Sequence, residues 1–140
     1  MILLDTNVIS ELMRRQPNPA ALAWMARQVR VEIYTTSITK AEIFYGVALL
    51  PEGRRKTSLA SDAERMFVED FAGRVLPFDE DAAIHFAKIA SDRLRAGMPL
   101  DVPDIQIAAI AAVRGASVAT RNLVDFDGCG IEVINPWLAG

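Results

Sequence analysis

Residues 1–5 read Met-Ile-Leu-Leu-Asp, which is four apolar residues followed by an acid. A short, wholly apolar run that ends at an acid is typical of a strand buried on both faces of a parallel sheet. Apolar residues from Val8 to Met13 then recur at helical spacing, so the strand is predicted to lead directly into a helix. A buried strand followed at once by a helix indicates the α/β fold class.

Strands and helices are predicted to alternate along the rest of the chain. β-Branched or apolar stretches predict further strands at 31–36, 74–78, 117–120 and 131–134. Periodic apolar stretches predict helices at 19–29, 38–50, 54–71, about 79–96 and 104–114. This alternation favours an α/β layered fold with a mostly parallel sheet.

Length and composition limit the function. A chain of 140 residues is interpreted as a single domain covering residues 1–140. Its only cysteine, Cys129, excludes an intramolecular disulfide, and neither a signal peptide nor a membrane-length apolar run is recognised, so we expect a cytoplasmic protein. The formal net charge of −3 argues against binding nucleic acid by charge alone. Any such contact must be local, metal-assisted or shared with a partner.

Three acids differ from the others because their neighbours are apolar: Asp5, Glu42 and Asp104. An isolated charge near a core is costly, so each of them needs a partner. Each also has a purely structural explanation. Asp5 could cap the following helix, Glu42 could close a capping box with Thr39, and Asp104 could lie in the first turn of a helix that Asp101 caps.

Considered together, the three acids predict a metal site. Ligands of an open α/β sheet bind beyond the carboxyl ends of its strands, where Asp5, Glu42 and Asp104 are all expected. Residues 120–122, with Asp125 nearby, follow the fourth strand and reach the same edge. Gathered carboxylates repel one another unless a cation neutralises them, and oxygen ligands favour Mg²⁺ or Mn²⁺. Zinc is disfavoured because the chain has one cysteine and one histidine.

Six segments match a known pattern in their order and spacing. They are ILLDTNVIS (2–10), SITKAEIFYGV (37–47), LPFD (76–79), DIQIAA (104–109), ATRN (119–122) and NPW (135–137). Together they resemble the PIN-domain family, in particular the VapC/FitB-type ribonuclease toxins of bacterial type II toxin–antitoxin systems. The resemblance covers essentially the whole chain. It implies a three-layer α/β/α sandwich around a mostly parallel sheet of about five strands.

The resemblance also implies the chemistry. Asp5, Glu42 and Asp104 would hold Mg²⁺ or Mn²⁺ and support hydrolysis of RNA phosphodiester bonds. Asp5 and Asp104 are the expected metal ligands, and Glu42 either ligates the metal or orients a water. A fourth ligand, often an Asp in the family, falls on Asn122 or on Asp125 in this chain.

Further residues are placed in or beside the site by the same resemblance. Thr6, Asn7 and Thr120 are expected to support the carboxylates through hydrogen bonds. Arg121 adjoins the site and is the best candidate for a contact with a substrate phosphate. Most other basic residues are interpreted as solvated surface.

The expected partners follow from the family. A cognate antitoxin of VapB/FitA type would bind operator DNA and lay a C-terminal segment over the toxin. A pocket of carboxylates is suited to receive an Arg or Lys from that segment. A homodimer, or a higher-order complex with the antitoxin, is the expected assembly. A stripe of large apolar residues is suited to an interface but is more often core: Trp24, Met66, Phe67 and Phe71.

Two other functions remain open. A catalytically weak PIN-fold module that binds RNA or protein would account for an amide at Asn122. A phosphatase-like hydrolase with Asp5 as its nucleophile would need a second Asp two residues later, where this chain has Asn7. A purely structural protein does not explain three acids embedded in apolar segments.

Overall fold

The computed structural model describes residues 1–138, and these form a five-stranded sheet. Its strands are β1 (Ile2–Leu4), β2 (Ile33–Thr36), β3 (Val75–Leu76), β4 (Ser117–Ala119) and β5 (Val133–Ile134). All neighbouring strands pair in parallel in the order β3-β2-β1-β4-β5, so the opening strand lies at the centre. The predicted parallel sheet of about five strands is confirmed.

The connections between the strands are helical. The helices are α1 (Thr6–Leu12), α2 (Pro19–Ala26), α3 (Ser37–Ala48), α4 (Arg54–Arg65), α5 (Glu80–Arg95), α6 (Val102–Arg114) and α7 (Leu123–Phe126). A 3₁₀ turn (Arg30–Glu32) precedes β2, and a π-helical turn (Met66–Asp70) follows α4. No helix within residues 1–138 has the length and apolarity needed to cross a membrane.

Both faces of the sheet are covered, as the side chains of β1 illustrate. Leu3 belongs to a core cluster with Val118 and the buried residues of α6, whereas Leu4 belongs to a second cluster with Ile9 and Trp24. Consecutive residues of a strand face opposite sides of the sheet, so each cluster lies on its own face. The chain therefore has the expected three-layer α/β/α arrangement.

The apolar stripe assigned to a core or an interface lies largely in the core. Trp24, Phe67 and Phe71 are buried, and Met66 is partly buried against the same cluster. Phe67 also contacts Phe71, with the ring centroids 6.2 Å apart. The interpretation of this stripe as core is confirmed.

Several predicted boundaries were wrong. Strand pairing begins with Ile2 opposite Ile33, so the exposed residues 31–32 turn instead of extending the strand. The strand predicted at 74–78 is reduced to β3, and the helix predicted at 54–71 becomes α4 and the π-helical turn. Between β4 and β5, where no helix was predicted, the chain forms the short helix α7.

Candidate active site

The parallel strands bring their polar residues to one edge of the sheet. Asp5 directly follows β1, and its backbone N–H continues the ladder by donating to the Ala119 carbonyl over 2.9 Å. Thr120 directly follows β4, and Glu42 lies in the second turn of α3, which starts where β2 ends. Asp104 lies in the first turn of α6. We refer to this region as the acidic edge.

Asp5 is held from several sides. Its carboxylate is 2% exposed, and it accepts the Thr6 backbone N–H at 2.7 Å and the Thr120 hydroxyl at 2.7 Å. The Asn7 amide lies 3.4 Å from the same oxygen that Thr120 contacts. Burial raises the pKa of Asp5 above its ordinary value, although the hydrogen bonds from Thr120 and Thr6 lower it. Its predicted role as a helix cap is confirmed, and its second oxygen faces the polar residues of the edge.

Glu42 is connected to Asp5 through Thr6. The Thr6 hydroxyl donates to Glu42 Oε1 at 2.7 Å and lies 3.1 Å from the Thr39 hydroxyl. The alternative explanation, a capping box between Thr39 and Glu42, was wrong because Thr36 is the cap and accepts the Thr39 N–H at 3.1 Å. Glu42 lies too far into α3 to cap it, so its half-buried carboxylate is available to bind a ligand at the acidic edge.

Asp104 lies within a group of three acids. Its carboxylate and those of Asp101 and Asp125 lie within 4.8 Å of one another. Asp101 also caps α6 by accepting the Asp104 backbone N–H at 3.1 Å, as predicted. Asp125 lies in α7, which follows β4 along the chain and packs against α6.

This crowding changes the acidity of Asp104. Burial raises its pKa from 3.8 to about 8, and the negative charges of Asp5 and Asp101 contribute in the same direction. A hydrogen bond with Asp125 and the charge of Asp125 raise it further. Asp104 is 7% exposed, so water does little to relieve the repulsion.

The remaining predicted residues differ in how they reach the edge. Asn7 donates from Nδ2 to the Thr120 hydroxyl at 3.2 Å and accepts the Arg121 backbone N–H at 3.2 Å. The Arg121 guanidinium stacks on the Trp137 ring, 5.0 Å from its centroid. Asn122 donates its backbone N–H to Thr120 at 3.0 Å, and its own side chain is exposed. The structure therefore brings Asp125, and not the Asn122 side chain, against Asp104.

Asp101 is the residue that the sequence interpretation placed only as a cap. The spacing of Asp101 and Asp104 already indicated that their carboxylates lie close together, because an N-cap residue and the residue three positions later share one helix end. Two acids in that arrangement at a strand edge indicate clustered charge as well as a cap. Trp137 was matched only as part of the NPW segment, and its stacking on Arg121 depends on tertiary contact.

The acidic edge concentrates negative charge, since the carboxylates of Asp101, Asp104 and Asp125 lie within 4.8 Å of one another. Among residues 1–138, none of the ion pairs includes an acid of this edge. Its ligand-capable side chains offer carboxylate, hydroxyl and amide oxygens, which are the donors that Mg²⁺ and Mn²⁺ prefer. The arrangement is suited to a divalent cation held by Asp5, Asp104 and their neighbours.

Comparisons with known proteins agree with this geometry. The family model described as PIN domain matches residues 2–127. The chain is 42% identical to VapC ribonuclease Y4jK of Sinorhizobium fredii, over 98% of each chain. It is 43% identical to Toxin FitB of Neisseria gonorrhoeae, over 98% of this chain and 99% of FitB. The crystal structure of FitAcB from Neisseria gonorrhoeae superposes with a TM-score of 0.93, covering 99% of both chains at 43% identity. The chain therefore belongs to the PIN-domain family.

Proposed function

We propose that this protein is a metal-dependent endoribonuclease and the toxin of a type II toxin–antitoxin module. The observation that carries the proposal is the acidic edge, where Asp5 and Asp104 are buried beside other carboxylates and form no ion pair within residues 1–138. Such an arrangement is costly unless a cation neutralises it. The names of the relatives, VapC ribonuclease and Toxin FitB, support RNA cleavage as the reaction and a toxin as the biological role.

The proposed metal ligands are Asp5, Glu42, Asp104 and Asp125, with Asp101 as an additional carboxylate. A bound Mg²⁺ or Mn²⁺ supplies polarisation of a phosphate oxygen and acidification of a water. We assign the fourth ligand position to Asp125 because its carboxylate lies against Asp104, whereas the Asn122 side chain is exposed.

The hydroxyl residues hold the proposed ligands in place. Thr120 fixes one oxygen of Asp5, and Thr6 fixes one oxygen of Glu42. Asn7 joins the two sides, because it contacts both Asp5 and Thr120. Hydrogen bonds that orient ligand carboxylates reduce the motion that binding would otherwise have to remove. These contacts hold the carboxylates in position for a cation. The proposed reaction uses water as the nucleophile and needs no nucleophilic side chain.

Arg121 is the proposed contact for the substrate. Its backbone is tied to Asn7, and its guanidinium lies on Trp137 with no hydrogen bond within residues 1–138. Stacking on one face of the guanidinium leaves the N–H groups at its edge available for a phosphate. A local contact of this kind is compatible with the net charge of −3.

The acidic edge is also the proposed receptor for an antitoxin. The relative Toxin FitB and the FitAcB structure support a partner of the FitA type. An Arg or Lys of such a partner would pair with the unbalanced carboxylates in place of the metal. A homodimer with one site in each protomer, acting in the cytoplasm, completes the proposal.

Cleavage of total cellular RNA tests the proposed activity. The purified protein is incubated with Mg²⁺ or Mn²⁺, and with EDTA, beside Asp5→Asn and the surface control Asp62→Asn. We expect cutting that requires the metal, persists in Asp62→Asn and disappears in Asp5→Asn. Full activity of a folded Asp5→Asn protein would reject the site. Metal binding without any cutting would instead favour the alternative of a PIN-fold binding module.

A further inference from the structure

Arg93 is a buried cation that takes no part in the proposed chemistry. It lies in the last turn of α5, and it is 2% exposed. Its Nε and Nη2 donate to the Pro99 carbonyl at 3.2 and 2.9 Å, and its Nη1 donates to the Asp127 carbonyl. Nη1 also lies 3.8 Å from Cys129 Sγ. No carboxylate within residues 1–138 forms an ion pair with this guanidinium.

The two carbonyls belong to the segments that lead to the acidic edge. Pro99 lies in segment 96–101, which joins α5 to α6 and ends at Asp101. Asp127 follows α7, two residues after Asp125. The segments also lie close together, since a Cβ placed on Gly128 would lie 3.7 Å from Met98 Sδ. One guanidinium therefore links the backbone on both sides of the acid group.

This link opposes the repulsion within the acid group. Asp101 and Asp104 lie on one side of it and Asp125 on the other, with carboxylates within 4.8 Å. Without a bound cation, ionised carboxylates on the two sides repel one another and favour separation of the two segments. A buried charge without an ionic partner is costly, and here the guanidinium is satisfied by two carbonyl oxygens and the sulfur of Cys129. The planar fork of an arginine reaches two separate acceptors, whereas a lysine offers one point of attachment.

We propose that Arg93 is a positioning residue for the acidic edge. It keeps Asp125 at its distance from Asp101 and Asp104, and so it sets the affinity of the site for a divalent cation. The inference rests on the proposed metal-dependent function, and it adds a residue that contacts neither metal nor substrate. Its effect is expected in metal affinity and in kcat, and not in the KM for RNA.

The test compares variants of Arg93 with a control substitution that is expected to lower the stability of the fold by a similar amount. Arg93→Met fills the space but donates no hydrogen bond, and Arg93→Lys keeps the charge but replaces the fork of the guanidinium with a single nitrogen. Ile89→Ala is the control, because Ile89 is buried on the same helix and contacts the core and not the two carbonyls. Mn²⁺ binding is measured by electron paramagnetic resonance without RNA, well below each melting temperature. The values of kcat and KM are measured separately.

We expect Arg93→Met to bind Mn²⁺ about 10- to 100-fold more weakly, with kcat reduced and KM unchanged within about twofold. Arg93→Lys should be intermediate, and it keeps the test informative if Arg93→Met does not fold. Ile89→Ala should lower the melting temperature and retain wild-type Mn²⁺ affinity. Unchanged Mn²⁺ affinity in a folded Arg93 variant would overturn the inference, as would an equal loss in Ile89→Ala. A wild-type protein that neither binds Mn²⁺ nor cuts RNA would overturn the proposed function itself.

Discussion

Acidic residues behave differently at the acidic edge and on the outer surface of α4 and α5. On that surface acids form ion pairs with basic residues one helical turn away, as in Asp62 with Arg65 at 2.8 Å and Lys88 with Asp92 at 3.0 Å. At the acidic edge, Asp5 is buried and forms no ion pair within residues 1–138. Exposed pairs contribute about 0–1 kcal/mol each. Repulsion among the buried acids is relieved either by a proton or by a bound cation.

The difference shows which acids local sequence spacing can explain. Acids of the surface kind are recognised from charges three or four residues apart, because those positions are neighbours on a helix. Acids of the edge kind come from β1, α3, α6 and α7, and only the parallel sheet brings them together. Function is therefore expected to depend on the second kind and to tolerate loss of the first.

The largest expected effect comes from Asp104→Asn. Removing this carboxylate should reduce RNA cleavage by at least about 100- to 1,000-fold, the scale seen when one preorganised electrostatic group is lost. Asp62→Asn removes an acid that forms an exposed ion pair and should leave cleavage unchanged. Initial rates at saturating Mn²⁺ measure both variants. Equal rates for the two variants would show that acids of the acidic edge matter no more for cleavage than ion-paired acids of the surface.

The metal-free protein should lose stability as pH rises. Asp104 has a pKa of about 8 in the folded protein and an ordinary value of 3.8, so between these pH values the folded state binds more protons than the unfolded state. Its free energy of unfolding should therefore fall from about pH 4 to about pH 8, by a few kcal/mol, since one pKa unit corresponds to about 1.36 kcal/mol. The raised pKa of Asp5 acts in the same direction.

Urea unfolding in EDTA at several pH values measures this slope. Asp104→Asn should flatten it and should be more stable than the wild type at pH 8, although it is inactive. Mn²⁺ at about 100 times its dissociation constant should add about 2.7 kcal/mol at pH 8. A wild-type protein that becomes more stable toward pH 8 in EDTA would contradict the raised pKa of Asp104.

A smaller effect is expected from the hydroxyl that links the ligands. Thr6→Val keeps the shape of the side chain but removes the donor to Glu42. Loss of such a supporting hydrogen bond typically weakens metal affinity or activity by about 10- to 100-fold. The matched control is Thr57→Val, because Thr57 donates only to the Gly53 carbonyl on the exposed surface of α4. Calorimetric Mn²⁺ titration separates the two, and identical affinities would show that Thr6 does not orient Glu42.

Sequence predicted the fold better than the details of the site. Asp5, Glu42 and Asp104 were predicted as metal ligands because acids within apolar segments conflict with burial, and this conflict is visible without coordinates. The participation of Asp101 was missed because its capping role already explained it. The choice between Asn122 and Asp125 depended on α7, a four-residue helix too short to leave a periodic pattern.

The smallest expected effect concerns Trp137, which carries Arg121 beside the acidic edge. Trp137→Leu keeps apolar bulk but removes the ring face, and an exposed cation–π contact contributes about 0.5–1 kcal/mol. The KM for RNA should therefore rise about two- to fivefold, while kcat stays constant.

Arg121→Gln removes the charge itself, so it should also reduce the slope of log affinity against log salt by about 0.7, the contribution of one phosphate contact on a single strand. Trp137→Leu should leave that slope unchanged because Arg121 remains, and Arg65→Gln should change neither quantity because Arg65 pairs with Asp62 on the surface of α4. A reduced salt slope in Trp137→Leu would mean that Arg121 no longer contacts the phosphate once the ring is gone. An unchanged slope in Arg121→Gln would show that Arg121 does not contact the RNA.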